Sequence, residues 1–293
     1  MSAGRRTGSI GTPERGLWGD ALRRLRRNTG ATVGGGVFLL IVVVAVAAPL
    51  LAPDDPIRLN VSESLEAPGG RHWLGTDQFG RDVLSRIIYG ARISVAMGFV
   101  AVTISVVAGS VLGLLSGYYR GTADLLVMRL VDVMLAFPGI LLALVIIAVL
   151  GPNLGSAMIA VGISGMPLFI RVVRGSTLAV REFHYVEAAR ATGGGDARIV
   201  FRHVLPNVLT PVIVLVTLGI PNAIVAGAAL SFLGLGVKPP TPDWGEMLSR
   251  GRAFMNTAWW LSTFPGLAIV VIVMAINRFG DGLRDALDPR MKL

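Results

Sequence analysis

The sequence predicts an all-α polytopic membrane protein with six transmembrane helices and with both termini on the cytoplasmic side. Hydrophobic residues make up 53% of the 293 residues, and the mean hydropathy of +0.67 is too high for a soluble domain. Uncharged stretches recur at about the 20 residues that a helix needs to cross ~30 Å of hydrocarbon. Of the 27 arginines and lysines, 19 fall in segments that this topology places inside, as the positive-inside rule requires.

This interpretation divides the chain into five consecutive segments. They are a cytoplasmic tail with an interfacial helix at 1–30, a first span at 31–52, an extracytoplasmic loop at 53–92, a core of five spans at 93–277 that contains a polar loop at 181–207 and a second extracytoplasmic loop at 234–260, and a cytoplasmic tail at 278–293. The first apolar run is too long for the core of a cleaved signal peptide, so we interpret it as a retained span. Upstream of it, Leu17, Trp18, Leu22 and Leu25 stand among arginines and predict a short helix on the inner leaflet, with a solvated tail as the alternative.

The second span, at 93–119, carries three glycines at four-residue spacing. They are Gly109, Gly113 and Gly117. Residues at this spacing share one face of a helix, and a face made of glycine lets a neighbouring helix approach closely. We therefore expect this face to pack against another span.

A helical hairpin is predicted next. No charged residue interrupts 133–170, which is too long for one span, and Gly151-Pro152-Asn153 supplies a turn inside it. Pro138 lies near the start of this stretch, where it is expected to kink or begin the third helix.

The fifth span, at 208–233, contains Pro211, Gly219 and Pro221, which predict a broken or bent helix. Irregular backbone is tolerated in lipid only where protein or water satisfies the freed polar groups. This span is therefore a candidate to line a pathway, and plain helix packing is the alternative. The sixth span is predicted at 261–276.

Several classes of function lack their motifs. No phosphate-binding loop ends in Gly-Lys-Ser/Thr, and the only lysines are Lys238 and Lys292. His72, His184 and His203 do not show metal-ligand spacing, and the chain has no cysteine. The net charge of +9 comes without the interleaved aromatics that nucleic-acid binding favours. The predicted spans also lack the acidic relays of ion-coupled carriers, so we expect no catalytic residue, metal or cofactor in this chain and an energy source in a partner.

The polar loop at 181–207 is the largest inner segment between spans. Residues 187–191 favour a short helix, Gly193–Gly195 break it, residues 197–204 suit a second short helix, and Pro206 is expected to mark its end. Two short helices joined by a glycine turn would form a compact docking surface.

In residue types and spacing this loop resembles the EAA loop of ABC importer permeases. Glu187-Ala188-Ala189 is followed after three residues by Gly193, and Leu205-Pro206 arrives at the expected distance. Three further strings resemble the C-type permease subunit of dipeptide, oligopeptide and nickel ABC importers. They are His72–Arg86, Leu230–Leu248 and Gly280–Pro289. The resemblance covers nearly the whole chain.

The resemblance implies a type I ABC importer permease fold and a set of partners. These are a second homologous permease subunit, two ATPase subunits that carry ATP and Mg²⁺, an extracytoplasmic substrate-binding protein and the lipid bilayer, with no nucleic acid. The residues implied in coupling to the ATPase are Glu187, Ala188, Ala189, Gly193, Ile199, Leu205 and Pro206. An extracytoplasmic cap of structural role, with direct substrate contact as the alternative, is implied at Gly75, Thr76, Asp77, Gly80, Arg81, Asp82 and Trp244.

The resemblance leaves the cargo open. Peptides are the main expectation, and nickel or glutathione are alternatives with the same architecture. A self-sufficient channel or carrier and a membrane enzyme are the remaining alternatives. For Glu187 alone, capping or solvating the helix is the alternative to a polar anchor for the ATPase.

Overall fold

Helices make up most of residues 17–287, the range that the computed structural model describes. In chain order they are α1 (Leu17–Arg27), α2 (Thr29–Val46), α3 (Ala48–Leu51), α4 (Val83–Tyr119), α5 (Gly121–Leu135), α6 (Gly139–Leu150), α7 (Leu154–Arg181), α8 (His184–Ala191), α9 (Asp196–Ile199), α10 (Leu205–Phe232), α11 (Trp244–Gly251) and α12 (Trp260–Leu287). A π-helical turn at Val200–Val204 joins α9 to α10. Within the described range no strand forms, and one isolated β-bridge pairs Thr76 with Asp82. The all-α prediction is confirmed.

Five helical segments are long and apolar enough to cross a membrane alone. They are α2, α4, α7, α12 and the unbroken run Asp196–Phe232. A sixth crossing requires α5 and α6 together, and these two helices meet at a bend of 97°. Pro138 directly precedes α6, so it begins that helix. The predicted turn separates α6 from α7, because Gly151 has a φ of +84° and the Asn153 side chain caps α7.

The glycine face of α4 packs against α7. A Cβ atom on any of the three glycines would lie 2.6–2.7 Å from a Cβ atom of α7. The contacts pair Gly109 with Phe169, Gly113 with Val173 and Gly117 with Thr177. Because the partner number rises with the glycine number, the two helices run parallel. Neighbouring parallel helices need a connection that returns to the opposite end of the bundle, so α5 and α6 together make one net crossing and the spans number six.

The two ends of the bundle carry different structures. Residues 53–82 and 233–259, the segments predicted to lie outside, meet at one end of the bundle, and we call them the outer cap after that prediction. Trp260, at the start of α12, donates its indole N–H to the Thr76 carbonyl of the cap at 3.1 Å. The other end of α12 packs against α2, where a Cβ atom on Gly34 would lie 2.6 Å from the Ala275 carbonyl oxygen. The helices α1, α2 and α12 therefore place both ends of the described range opposite the cap.

Two helices extend beyond the spans predicted from the sequence. The helix of the second span, α4, begins at Val83, before the predicted start of that span at residue 93, because the Asp82 carboxylate accepts a hydrogen bond from the Ser85 N–H at 2.7 Å and caps α4 there. The predicted C-terminal tail is helical as far as Leu287, because α12 continues along α2 and α1. Asp288 and Pro289, the end of one family-like string, lie outside the described residues.

The fifth span is an unbroken helix, so of the two predicted forms a break was wrong and a bend stays a prediction. Pro211 and Pro221 both lie inside α10. A proline removes one hydrogen bond of the helix, and packing of α10 against α4, α7 and α12 supports the backbone on both sides of the gap.

Candidate functional site

Residues 184–204 fold as two short helices joined by a glycine turn, as the sequence predicted, and we call this unit the elbow. The first helix, α8, ends in a Schellman motif: the Gly194 N–H donates to the Ala189 carbonyl at 2.9 Å and the Gly193 N–H to the Arg190 carbonyl at 3.0 Å. Gly193 has a φ of +82°, a conformation that glycine adopts without strain. The glycine at this position therefore ends α8 and turns the chain toward α9.

Pro206 does not end the second helix, and this prediction was wrong. The chain passes from α9 through the π turn directly into α10, and the Leu205 N–H donates to the Val200 carbonyl. Pro206 lies in the first turn of α10, where the absence of an N–H group is tolerated best. The elbow is therefore continuous with a membrane span.

The residues expected to couple to the ATPase differ in exposure. Glu187, Ala188, Gly193 and Pro206 are exposed, whereas Ala189 and Leu205 are half-buried. Ile199 is fully buried, with 0% exposure, and packs in a hydrophobic cluster with Val186, Val204 and Val208. Ile199 therefore supports the elbow from within and offers no surface to a partner.

Phe201 is a surface residue of the elbow that the sequence analysis missed. Its side chain is 67% exposed in the π turn, between the exposed arginines Arg198 and Arg202. On α8, the aromatic side chain of Tyr185 is also exposed. The sequence signal that could have identified Phe201 is a large apolar residue that stands among arginines in a polar loop.

Tyr118, at the end of α4, anchors the elbow to the bundle. It is 4% exposed, and its hydroxyl donates to Oδ1 of Asp196 at 2.7 Å. The Arg190 guanidinium lies 5.8 Å from the centre of the Tyr118 ring, within cation–π range. On the other side of the elbow, the Asn207 amide of α10 donates to the Tyr185 hydroxyl at 3.1 Å. The elbow is thus attached to two spans.

Charged side chains hold the outer cap together although they are almost fully buried. Arg81 donates from Nε to Oδ2 of Asp77 at 2.7 Å, and both residues are at most 6% exposed. Arg86 of α4 is 2% exposed and connects the two halves of the cap, because it donates to the Pro56 carbonyl at 3.0 Å and to Glu246 of α11 at 3.3 Å. Burial also raises the pKa of Asp243, the residue that caps α11. Buried charges need such partners, so these contacts suit a rigid structural cap.

The remaining predicted cap residues form turns and indole contacts. Gly75 and Gly80 have φ values of +77° and +70°, which favour glycine. The Thr76 carbonyl accepts from Trp260, as described above, and Trp244 is 2% exposed and donates to a backbone carbonyl of α4 at 3.0 Å. These turns place the cap directly on the ends of α4 and α12.

His72 has carboxylate neighbours that its position in the sequence did not reveal. Its Nδ1 lies 2.9 Å from Asp82 Oδ1 and its Nε2 lies 3.3 Å from Glu63 Oε2. Ligand atoms of Asp54, His72 and Asp82 lie within 4.8 Å of one another. Hydrogen bonding accounts for this grouping, because Asp82 also caps α4 through its other oxygen. Burial disfavours protonation of His72, but the two carboxylate contacts outweigh burial and raise its pKa.

A cavity of about 330 Å³ opens between α4, the bend of α5 and α6, α7 and α10. Its described lining residues are all uncharged, and its polar side chains are those of Ser105, Ser164 and Asn222. Of the expected pathway residues, Gly219 lines this cavity, whereas Pro211 and Pro221 are not among its lining residues. One of the three expected positions, Gly219, therefore supports the prediction that α10 lines a pathway.

Long helices around a cavity, with an elbow at one end and a cap at the other, define a transporter permease subunit. The chain superimposes with a TM-score of 0.57 on a chain of the inward-facing MetNI methionine ABC transporter, at 20% identity, covering 70% of this chain and 97% of that one. For an amino acid ABC transporter the TM-score is 0.54 at 15% identity, with coverage of 69% and 94%. At these identities the similarity establishes the fold.

Sequence comparison gives the family. The model for binding-protein-dependent transport system inner membrane components matches residues 109–293, and that for the N-terminal TM domain of oligopeptide transport permease C matches residues 16–68. The chain is 48% identical to the dipeptide transport system permease protein of Alkalihalophilus pseudofirmus, over 94% of this chain and 90% of that protein. It is 46% identical to the dipeptide transport system permease protein of Haemophilus influenzae, over 91% and 92%. It is 44% identical to the glutathione transport system permease protein of Pectobacterium atrosepticum, over 97% and 93%.

The chain belongs to the family of binding-protein-dependent transport system inner membrane components. It is a multi-pass membrane protein and the permease component of an ABC importer, and the predicted family is confirmed.

Proposed function

We propose that this chain is one of two homologous permease subunits of a peptide importer and that ATPase subunits drive it by docking on the elbow. The elbow carries this proposal, because an exposed surface is fixed there to α4 and is continuous with α10. ATP and Mg²⁺ bind to the two ATPase subunits, and the permease contributes no catalytic residue. An extracytoplasmic binding protein delivers substrate at the outer cap.

The chemistry of the elbow surface suits a groove on another protein. Phe201 projects from the π turn as an aromatic anchor, and Arg198 and Arg202 flank it. Aromatic and arginine side chains dominate the binding energy of protein interfaces. The complementary ATPase surface is therefore an apolar groove with an acidic rim, and exposed Glu187 on α8 provides a separate polar contact.

Because the elbow is rigidly attached to the spans, movement of a docked ATPase subunit also moves the spans. ATP-driven closure of the ATPase pair brings the two elbows of a permease pair together. Ile199 and Val186 are at most 1% exposed inside the elbow, so the unit moves as one body with the spans that it contacts. Displacement of the elbow then moves α7 and α10, which are walls of the cavity.

Peptide cargo is supported by two observations. The relatives at 48% and 46% identity are named for dipeptide transport. The cavity offers hydroxyl and amide groups without histidine or carboxylate among its described lining residues, whereas a nickel ion favours nitrogen or carboxylate ligands. Glutathione is the second candidate, because a glutathione permease is 44% identical over 97% of the chain.

The test is reconstitution of the complex that the neighbouring genes encode. We expect ATP-dependent uptake of a labelled dipeptide into proteoliposomes, with weaker uptake of glutathione and none of Ni²⁺. Uptake that does not depend on ATP, or purification of the chain without ATPase subunits, would contradict the proposal.

The elbow surface can be tested in the same complex. Phe201→Ala and Glu187→Lys are expected to reduce ATPase co-purification, by about tenfold or more for Phe201→Ala if it is a binding hot spot. Leu126→Ala is the matched control, because Leu126 is 65% exposed on α5 away from the elbow. Equal ATPase recovery from all three variants would exclude docking through this surface.

A further inference from the structure

An ion pair joins α5 to α7. Arg174 of α7 donates from Nε to Oδ1 of Asp124 at 2.5 Å and from Nη2 to Oδ2 at 2.6 Å. Ser116 of α4 donates its hydroxyl to Oδ1 of the same carboxylate at 2.5 Å. Asp124 therefore connects three helices through a single side chain.

The geometry makes this pair a firm mechanical contact. Two parallel N–H···O bonds fix the orientation of both side chains as well as their distance. The side chains of Asp124 and Arg174 are 21% and 30% exposed, so water screens the pair only in part. The topology above places Arg174 on the inner side, so the pair lies near the inner end of the bundle, and the sequence analysis did not identify it.

The pair lies between the elbow and the cavity. On one side, α7 ends at Arg181 and leads within three residues into α8 of the elbow. On the other side, α5 ends at Leu135 and passes through the 97° bend into α6. Leu135, Gly139 and Ile140 of that bend line the cavity. Movement of the inner part of α7 can therefore reach the cavity wall through Asp124.

We propose that Asp124 and Arg174 are positioning residues that transmit movement of the elbow to α5 and to the bend between α5 and α6. This inference rests on the proposed function. In transport, the pair makes α5 follow α7, so the bend moves as one body with α7 when the ATPase subunits close. Without the pair, α6 still packs directly against α7, whereas α5 and its end of the bend lose their charged connection to α7.

A second ion pair between the same helices provides a matched control. Arg171 donates to Asp132 at 3.0 Å through one hydrogen bond, and the two side chains are 51% and 53% exposed. A single exposed contact of this kind constrains the helices weakly. Comparison of variants at the two pairs therefore distinguishes a rigid connection between α5 and α7 from a general effect of opposite charges on these helices.

The experiment uses the absence of cysteine from the chain. The complete complex is reconstituted with Asp124→Cys, with Arg174→Cys and with both substitutions, and substrate uptake and ATP hydrolysis are measured together. Each single variant is expected to lower uptake per ATP by about tenfold, the factor that corresponds to losing a charge-assisted hydrogen bond. A short bifunctional maleimide is expected to restore uptake in the double variant, and a monofunctional maleimide is not.

The control double variant, Asp132→Cys with Arg171→Cys, is expected to keep the wild-type ratio of uptake to ATP hydrolysis with either reagent. Unchanged coupling in the Asp124 and Arg174 variants would overturn the inference. Failure of the conservative Asp124→Asn variant to assemble, or failure of the covalent bridge to restore uptake, would also overturn it, because each points to a role in folding alone.

The wild-type complex separates the two proposals. ATP-dependent uptake by the wild type, together with unaffected variants, would overturn the inference and leave the proposed function standing. A wild-type complex without such uptake would overturn the proposed function and this inference with it.

Discussion

The Tyr118 hydroxyl donates a 2.7 Å hydrogen bond to Asp196, which joins the end of α4 to the first residue of α9, 78 residues further along the chain. The Arg181 guanidinium of α7 donates to the Tyr118 carbonyl and lies 5.9 Å from the centre of its ring. One buried tyrosine therefore holds α4, the end of α7 and the elbow in a fixed arrangement.

Tyr118→Phe removes this hydrogen bond and retains the ring. We expect it to lower the free energy of unfolding by about 1 kcal/mol, the usual net contribution of a hydrogen bond, and to raise the ATP hydrolysed per substrate imported. Differential scanning fluorimetry in detergent and an uptake assay measure the two effects. Tyr119→Phe is the control, because Tyr119 is 55% exposed, and an equal loss in both variants would refute the anchoring role.

Gly193→Ala tests the turn between α8 and α9. A Cβ atom there would contact nothing within 4 Å, so the positive φ alone causes strain of about 1 kcal/mol. We expect a lower melting temperature and weaker ATPase co-purification. Gly175→Ala also introduces a Cβ into open space, but within α7, so it should keep or slightly raise stability. A Gly193→Ala variant as stable as Gly175→Ala would contradict the assigned turn.

Arg86→Met tests the buried charges of the outer cap. The substitution removes one of the two arginines that contact buried Glu246, the other being Arg250, and leaves the Pro56 carbonyl without its donor. We expect the free energy of unfolding to fall by about 2 kcal/mol. Arg71→Met removes an arginine that is 74% exposed and paired with Glu63 in the same cap, and it should change stability by less than about 1 kcal/mol. Thermal unfolding of both variants measures the two losses of stability. Comparable losses would show that burial of Arg86 does not contribute to stability.

His72 is expected to make the stability of the cap depend on pH. Its folded-state pKa is raised above the ordinary value of 6.5 by the facing carboxylates of Asp82 and Glu63. The contribution of the protonated form is therefore complete below the unfolded-state pKa and is lost as the pH rises through the folded-state pKa. The melting temperature of the wild type should exceed that of His72→Gln most below pH 6.5, and the difference should shrink as the pH rises above that value. A difference that grows with rising pH would contradict this assignment.

Apolar length was sufficient to predict five of the six membrane spans, because a continuous uncharged run of this size has few other uses. It did not predict the third crossing in full, because that crossing also uses α5, which carries charged residues and meets α6 at a bend of 97°. The glycine face of α4 was predictable for a similar reason, since residues four apart share a helix face in any packing. The partner of that face was not, because nothing in the local sequence connects Gly113 with Val173. For the same reason the contact between Asp124 and Arg174 was not predicted, because the two residues lie 50 positions apart in the sequence.

The elbow was predicted from its glycines, because the turn at Gly193 depends on local backbone conformation. The direction of each side chain depends instead on packing between helices. Ile199 and Phe201 are two residues apart, yet the first is buried and the second is exposed. The extension of α4 before the predicted span was not foreseen, because Arg86 resembles a loop charge until its partner Glu246, 160 residues later, is known.

The unbroken helix from Asp196 to Phe232 has 37 residues, which corresponds to a rod of about 55 Å. Pro211 and Pro221 each remove one backbone hydrogen bond within this rod. One tip of the rod carries Asp196, the hydrogen-bond partner of Tyr118, and the other tip packs against α11 of the cap. A single helix therefore links the two ends of the bundle, and a displacement that starts at either end has a continuous path to the other.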